Sequence, residues 1–579
     1  MELSPDKKIA GVLAPLFALG GRDDLGVGDI GSLEEFVAWA AEAGFGVVQL
    51  LPINETGNDN SPYNAISSVA LEPTTIHVAR VPDLARDEIE ELTHGVDLHA
   101  LRNGPVVYPV VKALKRALLQ RAFENFSRDS WKKNDARARR FRRFCKTQAA
   151  WLESYALFRV LIDENQGTER WDRWPIEQQT FDAAQRWLAA QPGARRRALR
   201  QAMRCAMYVQ WIALNQWTEA KLHAERLGVA LMGDLPFGVG YYSADVWGAP
   251  ELFDHRWSGG APPEPFFTAD PFTHKWGQNW GIPLYSWEAM GKTDFAWWRQ
   301  RVRRIRDIFH LFRLDHVLGF YRIYAFPWRP QRNADFLPLT KEEARKRTGG
   351  EWPRFQPRDD ETVENRAANR AQGEKFLRVL LAETGAFRLI GEDLGIVPDY
   401  VRPSLQSLGI PGFKIPFWEK MSDGRLVPGE AYQRLSVATF GTHDHDPLRV
   451  LWEKWMGTIE NALHQPGQLA RERDEAWAEV RRLAAWAGFE VPRITPFDKV
   501  HEKLLAALWR SNSWLAIVMI TDLFATSQRF NMPGSVAESN WSERLAQPIA
   551  RWRSDPVLRE KTAHVRPLLR ATGRLGPGA

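Results

Sequence analysis

The chain has 579 residues, 44% hydrophobic and 26% charged, a balance that supports a large buried core and excludes a disordered chain. Its net charge is +6 and its pI about 9.2, but the excess sits mainly in Lys132–Lys146 and Ala194–Arg204. Both stretches read as solvated helix faces, with anion or nucleic-acid binding as the lesser alternative.

Only Cys145 and Cys205 occur, with no CxxC or His cluster, so neither a disulfide framework nor a zinc site is expected. Lys7 and Lys8 before the apolar run Ile9–Leu19 imitate a short signal peptide. Glu2, Asp6 and Pro15 argue for a first strand instead. No apolar run approaches the roughly 20 residues of a membrane span, and the expected location is the cytoplasm. The 26 Trp residues offer flat faces that suit sugar rings or bases as well as cores.

In chain order, Gly11–Pro15 reads as a strand and is followed by the glycine-rich loop GGRDDLGVGDIGS. Ser32 and Glu35 form an S-x-x-E capping box opening a helix that ends at Gly44, and Val47–Leu51 is the next strand. Strand, helix, strand at this spacing is a βαβ unit of a covered parallel sheet. The loop Pro52–Asn64 is full of turn formers. From about residue 90 to 228 the period is helical, including Pro109–Phe126, Phe141–Ile162 and Arg195–Leu227, which is too long for a crossover and reads as an inserted subdomain.

Val229–Pro236 is a strand carrying Asp234. About 245–290 reads as a loop system rich in aromatic residues that frames a pocket. A helix around Phe295–Phe309 precedes the strand Leu311–Gly319 (LFRLDHVLG). There Arg313 and Asp315, two residues apart, project together from one face, so a fixed cation would hold Asp315 ionised. Pro327–Arg370 is irregular and charged, and Gly373–Thr384 is helical. FRLIGE, ending at Glu392, is a strand, as are Gly412–Trp418, Val437–His443 and Leu515–Phe524, with helices over about 459–487 and 500–508. No internal repeat or low-complexity tract is present.

Strands beginning near residues 11, 47, 229, 311, 387, 412, 437 and 515 predict one closed (β/α)₈ barrel spanning residues 1–579, with large, mainly helical insertions. Active sites in that fold lie at the C-terminal strand ends, where Asp234, Asp315, Glu392 and Asp444 fall. Two carboxylates flanking a bond, with a third nearby, suit acetal chemistry through an oxocarbenium-like transition state. Magnesium-dependent phosphoryl chemistry also uses acidic clusters, but no Walker-type loop is present and the pocket loops are aromatic rather than basic.

These segments resemble the 4-α-glucanotransferases of glycoside hydrolase family 77 along nearly the whole chain. The matching motifs are SPYN at Ser61–Asn64, GDLPF at Gly233–Phe237, SADVW at Ser243–Trp247, GAPP at Gly260–Pro263 and GQNWGIPLY at Gly277–Tyr285. They continue with RLDHVLGF at Arg313–Phe320, GEDLG at Gly391–Gly395, GTHD at Gly441–Asp444 and RFNMPG at Arg529–Gly534. The resemblance implies a retaining enzyme acting on α-1,4-glucans, with Asp315 as nucleophile and Glu392 as acid and then base, its pKa raised by Asp315 and partial burial. Asp444, with His443, would clamp ring hydroxyls at the cleavage site.

By the same resemblance Tyr63 and Trp280 stack on or border the glucan, and Ser61, Asp234, Gln278 and Asn531 bind hydroxyls. Arg313 is counted with the substrate site, and His316 is either a hydroxyl ligand or a packing residue. No metal or organic cofactor, nucleic acid or membrane is implied. The loop Gly260–Trp287 is the candidate aromatic lid that favours a sugar acceptor over water. Here the chain departs from the usual bacterial pattern, with Glu264 in PPE, extra residues FFTADPFTHKW, and His445 after GTHD. GQNWG and LGFYRIY look closer to the plant cytosolic branch, which leaves donor and acceptor length preference open. The alternatives are an α-amylase-like hydrolase and a non-catalytic glycan-binding protein, the latter disfavoured by an intact Asp315, Glu392 and Asp444.

Overall fold

Short aliphatic runs bounded by Gly, Pro or polar turns become strands. In the computed structural model, which describes residues 1, 3–264, 270–463, 465–533 and 539–578, they are, in chain order, β1 (Ile9–Leu13), β2 (Val47–Gln49), β3 (Ala230–Leu235), β4 (Phe253–Ala261), β5 (Gln278–Tyr285), β6 (Leu311–Leu314), β7 (Ile323–Phe326), β8 (Arg354–Gln356), β9 (Leu389–Gly391), β10 (Gly412–Lys414), β11 (Ser436–Ala438) and β12 (Leu515–Met519). Among the described residues eight of these pair in the order β10-β11-β12-β1-β2-β3-β6-β9, all in parallel. These are the eight expected strands, and they form a nearly closed (β/α)₈ barrel. At the last seam, between β9 and β10, Gly391 N–H donates to the Pro411 carbonyl at 2.9 Å.

Side chains alternate across each strand, and the burial follows. Leu515, Ile517 and Met519 of β12 pack inside the barrel with Ala230, Met232, Leu311, Ile390, Phe413 and Val437. Their neighbours Ala516 and Val518 face outward into a larger core shared with Leu231, Phe312 and the surrounding helices. At the barrel floor, Arg574 is fully buried and donates to the carbonyls of Ile9, Trp509, Ser511, Ser513 and Trp514.

Between β2 and β3 the chain is largely helical, ending in the long helix Gly193–Arg226 that leads directly into β3. The Arg-rich stretches behave as expected. Along Ala136–Thr147, Phe141 and Phe144 are buried while Arg139, Arg140, Arg142 and Arg143 are exposed. The guanidinium groups of Arg142 and Arg204 lie over the Trp131 ring at 4.2 and 4.6 Å. Among the described residues no helix is long and apolar enough to cross a membrane.

Several local expectations are corrected. The first helix, Ile30–Ala43, is capped by Asp29 rather than by a Ser32–Glu35 box: Asp29 Oδ1 accepts from the N–H groups of Gly31 and Ser32 at 3.0 and 3.3 Å. Asp29 is itself held by Lys115 Nζ at 3.1 Å and His77 Nδ1 at 3.2 Å, distant partners that a local pattern does not reveal. Residues expected as loop around 245–290 instead build much of an antiparallel sheet in the order β5-β4-β7-β8, with its own core of Phe272, Trp276, Phe326, Trp328 and Phe336. Part of FFTADPFTHKW, and Gly534 of RFNMPG, lie outside the described residues. The helix expected from Gly373 begins at Val363, capped by Thr362, and β10 stops at Lys414, so Trp418 stands beyond the strand.

Candidate active site

Register assembles the centre. On the parallel pair β3 and β6, Asp234 lies opposite Arg313, and one guanidinium nitrogen of Arg313 donates to both Asp234 oxygens at 2.9 Å. The same nitrogen meets Asp315 Oδ1 at 2.7 Å, and the other stands 4.0 Å from Glu392 Oε2. Backbone bonds carry the ladder past the strands, from Asp315 N–H to the Leu235 carbonyl at 3.0 Å and from Glu392 N–H to the Leu314 carbonyl at 2.9 Å. Asp315 and Glu392 therefore emerge side by side, joined through one buried cation.

The carboxylates differ in exposure. The Glu392 side chain is 11% exposed, that of Asp315 26% and that of Asp444 40%. Burial, reinforced by the negative charge of Asp315 and opposed by Arg313, lifts Glu392 to about 7, the value of an acid that still holds a proton near neutrality. Its Oε2 accepts the His316 N–H at 2.8 Å and its Oε1 the Leu394 N–H at 3.2 Å. His316 adopts a left-handed backbone, φ 45°, which turns the chain so that its amide meets Glu392. Burial also lowers the His316 imidazole to about 4, so it is neutral at physiological pH.

Asp444 faces the pair from the loop after β11. Burial works to raise its carboxyl, but His443, Asn531 and Arg313 outweigh it and hold the group below the usual range. Asn531 Nδ2 donates to Oδ1 at 2.5 Å and His443 Nε2 lies 3.3 Å from Oδ2. His443 stacks on Tyr63, with centroids 5.2 Å apart at 13°, and the Tyr63 hydroxyl donates to Asp234 at 2.6 Å. Trp280, on β5, meets His316 edge-on at 4.8 Å and donates to Gln278 Oε1 at 3.1 Å.

Trp280, His316, Glu392, Arg313, Asp234, Tyr63, His443, Asp444 and Asn531 thus form one contact chain. Among the described residues Ser61 bonds within its own loop, accepting from Tyr63 N–H at 3.4 Å. The Asp234 side chain is fully buried behind Arg313 and Tyr63, where it braces the cation. Sequence reasoning missed Trp541, whose ring lies 5.9 Å from Tyr63 and 5.8 Å from His443, and Trp418, which is 51% exposed and 5.2 Å from the His445 ring. No spacing pattern marks Trp541. Trp418 was hidden by reading its segment as strand.

The family model described as 4-alpha-glucanotransferase matches residues 14–549. A 4-alpha-glucanotransferase of Chlamydia pneumoniae is 29% identical, covering 92% of this chain and 91% of that protein. The rice 4-alpha-glucanotransferase DPE2 is 33% identical over 55% of this chain and 32% of its own length. Among solved structures, amylomaltase from Streptococcus agalactiae in complex with acarbose superposes with a TM-score of 0.72 at 22% identity, covering 98% of this chain and all of that one. A match over this span, on a barrel of the same fold, makes the chain a member of the 4-alpha-glucanotransferase family, glycoside hydrolase family 77.

Proposed function

We propose that this protein transfers α-1,4-glucan segments or glucosyl units from a donor maltooligosaccharide to the 4-hydroxyl of an acceptor sugar by retaining double displacement. The observation that carries this reading is that one buried guanidinium, that of Arg313, lies 2.7 Å from Asp315 and 4.0 Å from Glu392. Asp315, salt-bridged to that cation, attacks the anomeric carbon. Glu392 gives its proton to the departing 4-oxygen, so the C–O bond breaks as the glycosyl-enzyme ester forms. Glu392, now ionised, takes the proton of an acceptor hydroxyl, which attacks the same carbon and releases Asp315. Asp444, fixed by Asn531 and His443, is suited to grip ring hydroxyls as positive charge develops.

Trp280 and Tyr63 border the glucan in this scheme, with Ser61, Gln278 and Asn531 as hydroxyl ligands. The chain serves as one catalytic barrel, with about 90–228 as a helical insertion and about 245–290 as the substrate-loop insertion. No step calls on a metal or organic cofactor, and the protein is placed in the cytoplasm with maltodextrins as its partners.

Incubation with maltotriose, following product length and total reducing ends together, tests the reading. Transfer conserves reducing ends and hydrolysis creates them. Glucose plus a ladder of longer maltodextrins at constant reducing ends is expected. Rising reducing ends without longer products would make the enzyme a hydrolase.

A further inference from the structure

Glu392 is anchored on one side by the ladder to β6, where its N–H donates to the Leu314 carbonyl at 2.9 Å and its own carbonyl accepts from Val317 N–H at 3.1 Å. On the other side the ladder gives out. Gly391 donates to Pro411, and in a regular parallel pair Phe413 N–H would return a bond to the Gly391 carbonyl. Instead, Phe413 N–H donates to Asp393 Oδ1 at 2.6 Å. A side-chain carboxylate has taken the place of a backbone acceptor, in a charge-assisted bond stronger than the one it replaces.

Asp393 is only 2% exposed. Its Oδ2 accepts from Arg402 Nε at 3.1 Å, and Arg402 reaches on to Glu419 at 3.6 Å, which pairs with Lys414 of β10 at 2.8 Å. With the adjacent Glu392, whose carboxyl the Asp393 charge helps to raise, these are the charged groups around it. Gly412 makes the approach possible, since a Cβ there would stand 2.7 Å from Asp393 Oδ2 and 2.8 Å from Oδ1.

We propose that Asp393 is a positioning residue for Glu392: by taking the Phe413 amide across the β9–β10 seam and bonding Arg402, it fixes the backbone that aims the Glu392 carboxyl at the Asp315–Arg313 pair. It touches no substrate. The inference rests on Glu392 being the acid and base, as proposed above. Loosening the anchor lets that carboxyl wander, and a shift of about 1 Å in a reacting group costs on the order of 10²-fold in rate.

The test compares kcat, KM and the pH profile of maltotriose transfer for Asp393→Asn, Gly412→Ala and Arg402→Gln against Glu392→Gln, with unfolding curves for each. Gly412→Ala pushes the carboxylate aside while leaving it chemically intact, so it decides the matter if Asp393→Asn does not fold. Asp393→Asn and Gly412→Ala are expected to lower kcat by about ten- to a hundredfold and change KM by less than about threefold, and Gly412→Ala, which keeps the Asp393 charge beside Glu392, is expected to move the alkaline limb of the kcat profile. Arg402→Gln should move both in the same direction by less. Wild-type kcat and an unmoved limb in the folded variants would overturn the proposal, even with stability lost, because Asp393 would then only close the seam. Wild-type turnover in Glu392→Gln would overturn the acid–base assignment itself, and the positioning role with it.

Discussion

Asp315 and Glu392 share one cation yet are built for different work, because one is open enough to reach a sugar and the other is desolvated. Asp315→Ala is expected to abolish transfer while leaving the fold and glucan binding intact, and residual kcat within about tenfold of wild type would remove Asp315 as nucleophile. As the proposed acid, Glu392 must carry its proton to expel a leaving group, so the transfer rate should fall as pH rises through about 7. A carboxyl whose folded value is raised costs stability once ionised, and that cost grows between its ordinary value and about 7. Glu392→Gln should therefore lose at least about 10²-fold in kcat and gain thermal stability, more at pH 8 than at pH 5. A gain larger at pH 5 would contradict the buried-acid assignment. The Arg313–Asp315 pair was legible because i and i+2 share a strand face. The bracing role of Asp234 was not, since it depends on the β3–β6 register and on Tyr63, 171 residues away.

Among the elements, strands with aliphatic runs declared themselves, and the antiparallel sheet did not. Its strands carry Gly, Pro, Asp and Asn, whose strand propensity is poor, and they are held by aromatic packing such as Trp328 on Phe336 at 3.8 Å. That sheet carries Gln278 and Trp280, so part of the proposed substrate surface was misread as loop. The first helix shows the same limit, because its cap belongs to a buried ionic cluster. Asp29→Ala would strand Lys115, 1% exposed, without a counter-charge, at a cost of about 3–5 kcal/mol in chemical unfolding and no change in kcat of the folded enzyme. Burial works to raise the Asp29 carboxyl, but Lys115 and His77 outweigh it and hold it low. Its contribution is therefore present at neutral pH and fades as pH falls through that depressed value, so the gap between wild type and variant should narrow in acid.

At the scale of the molecule, one apolar core runs from β1 through Phe158, Tyr208 and Trp217 of the helical insertion to Leu569 near the end of the chain. The long helix Gly193–Arg226 spans roughly 50 Å and passes without a flexible linker into the strand that bears Asp234. Barrel and insertion are expected to unfold in a single transition, with loss of activity and of far-ultraviolet dichroism coinciding. Two separated transitions would make the insertion an independent unit. A barrel joined at its last seam, among the described residues, by one backbone bond and one carboxylate should also breathe there first. The amide hydrogens of Gly391 and Phe413 are expected to exchange with deuterium sooner than those of Val12 and Val48, deep in the continuous ladder. Burial raises Asp393 to about 6, so its ionised form costs the closed seam stability and protonation below that pH relieves the cost. After correction for intrinsic rates, protection at Phe413 should rise as the solution is acidified through that value, so that the wall of the barrel beside Glu392 is looser at neutral pH than in mild acid.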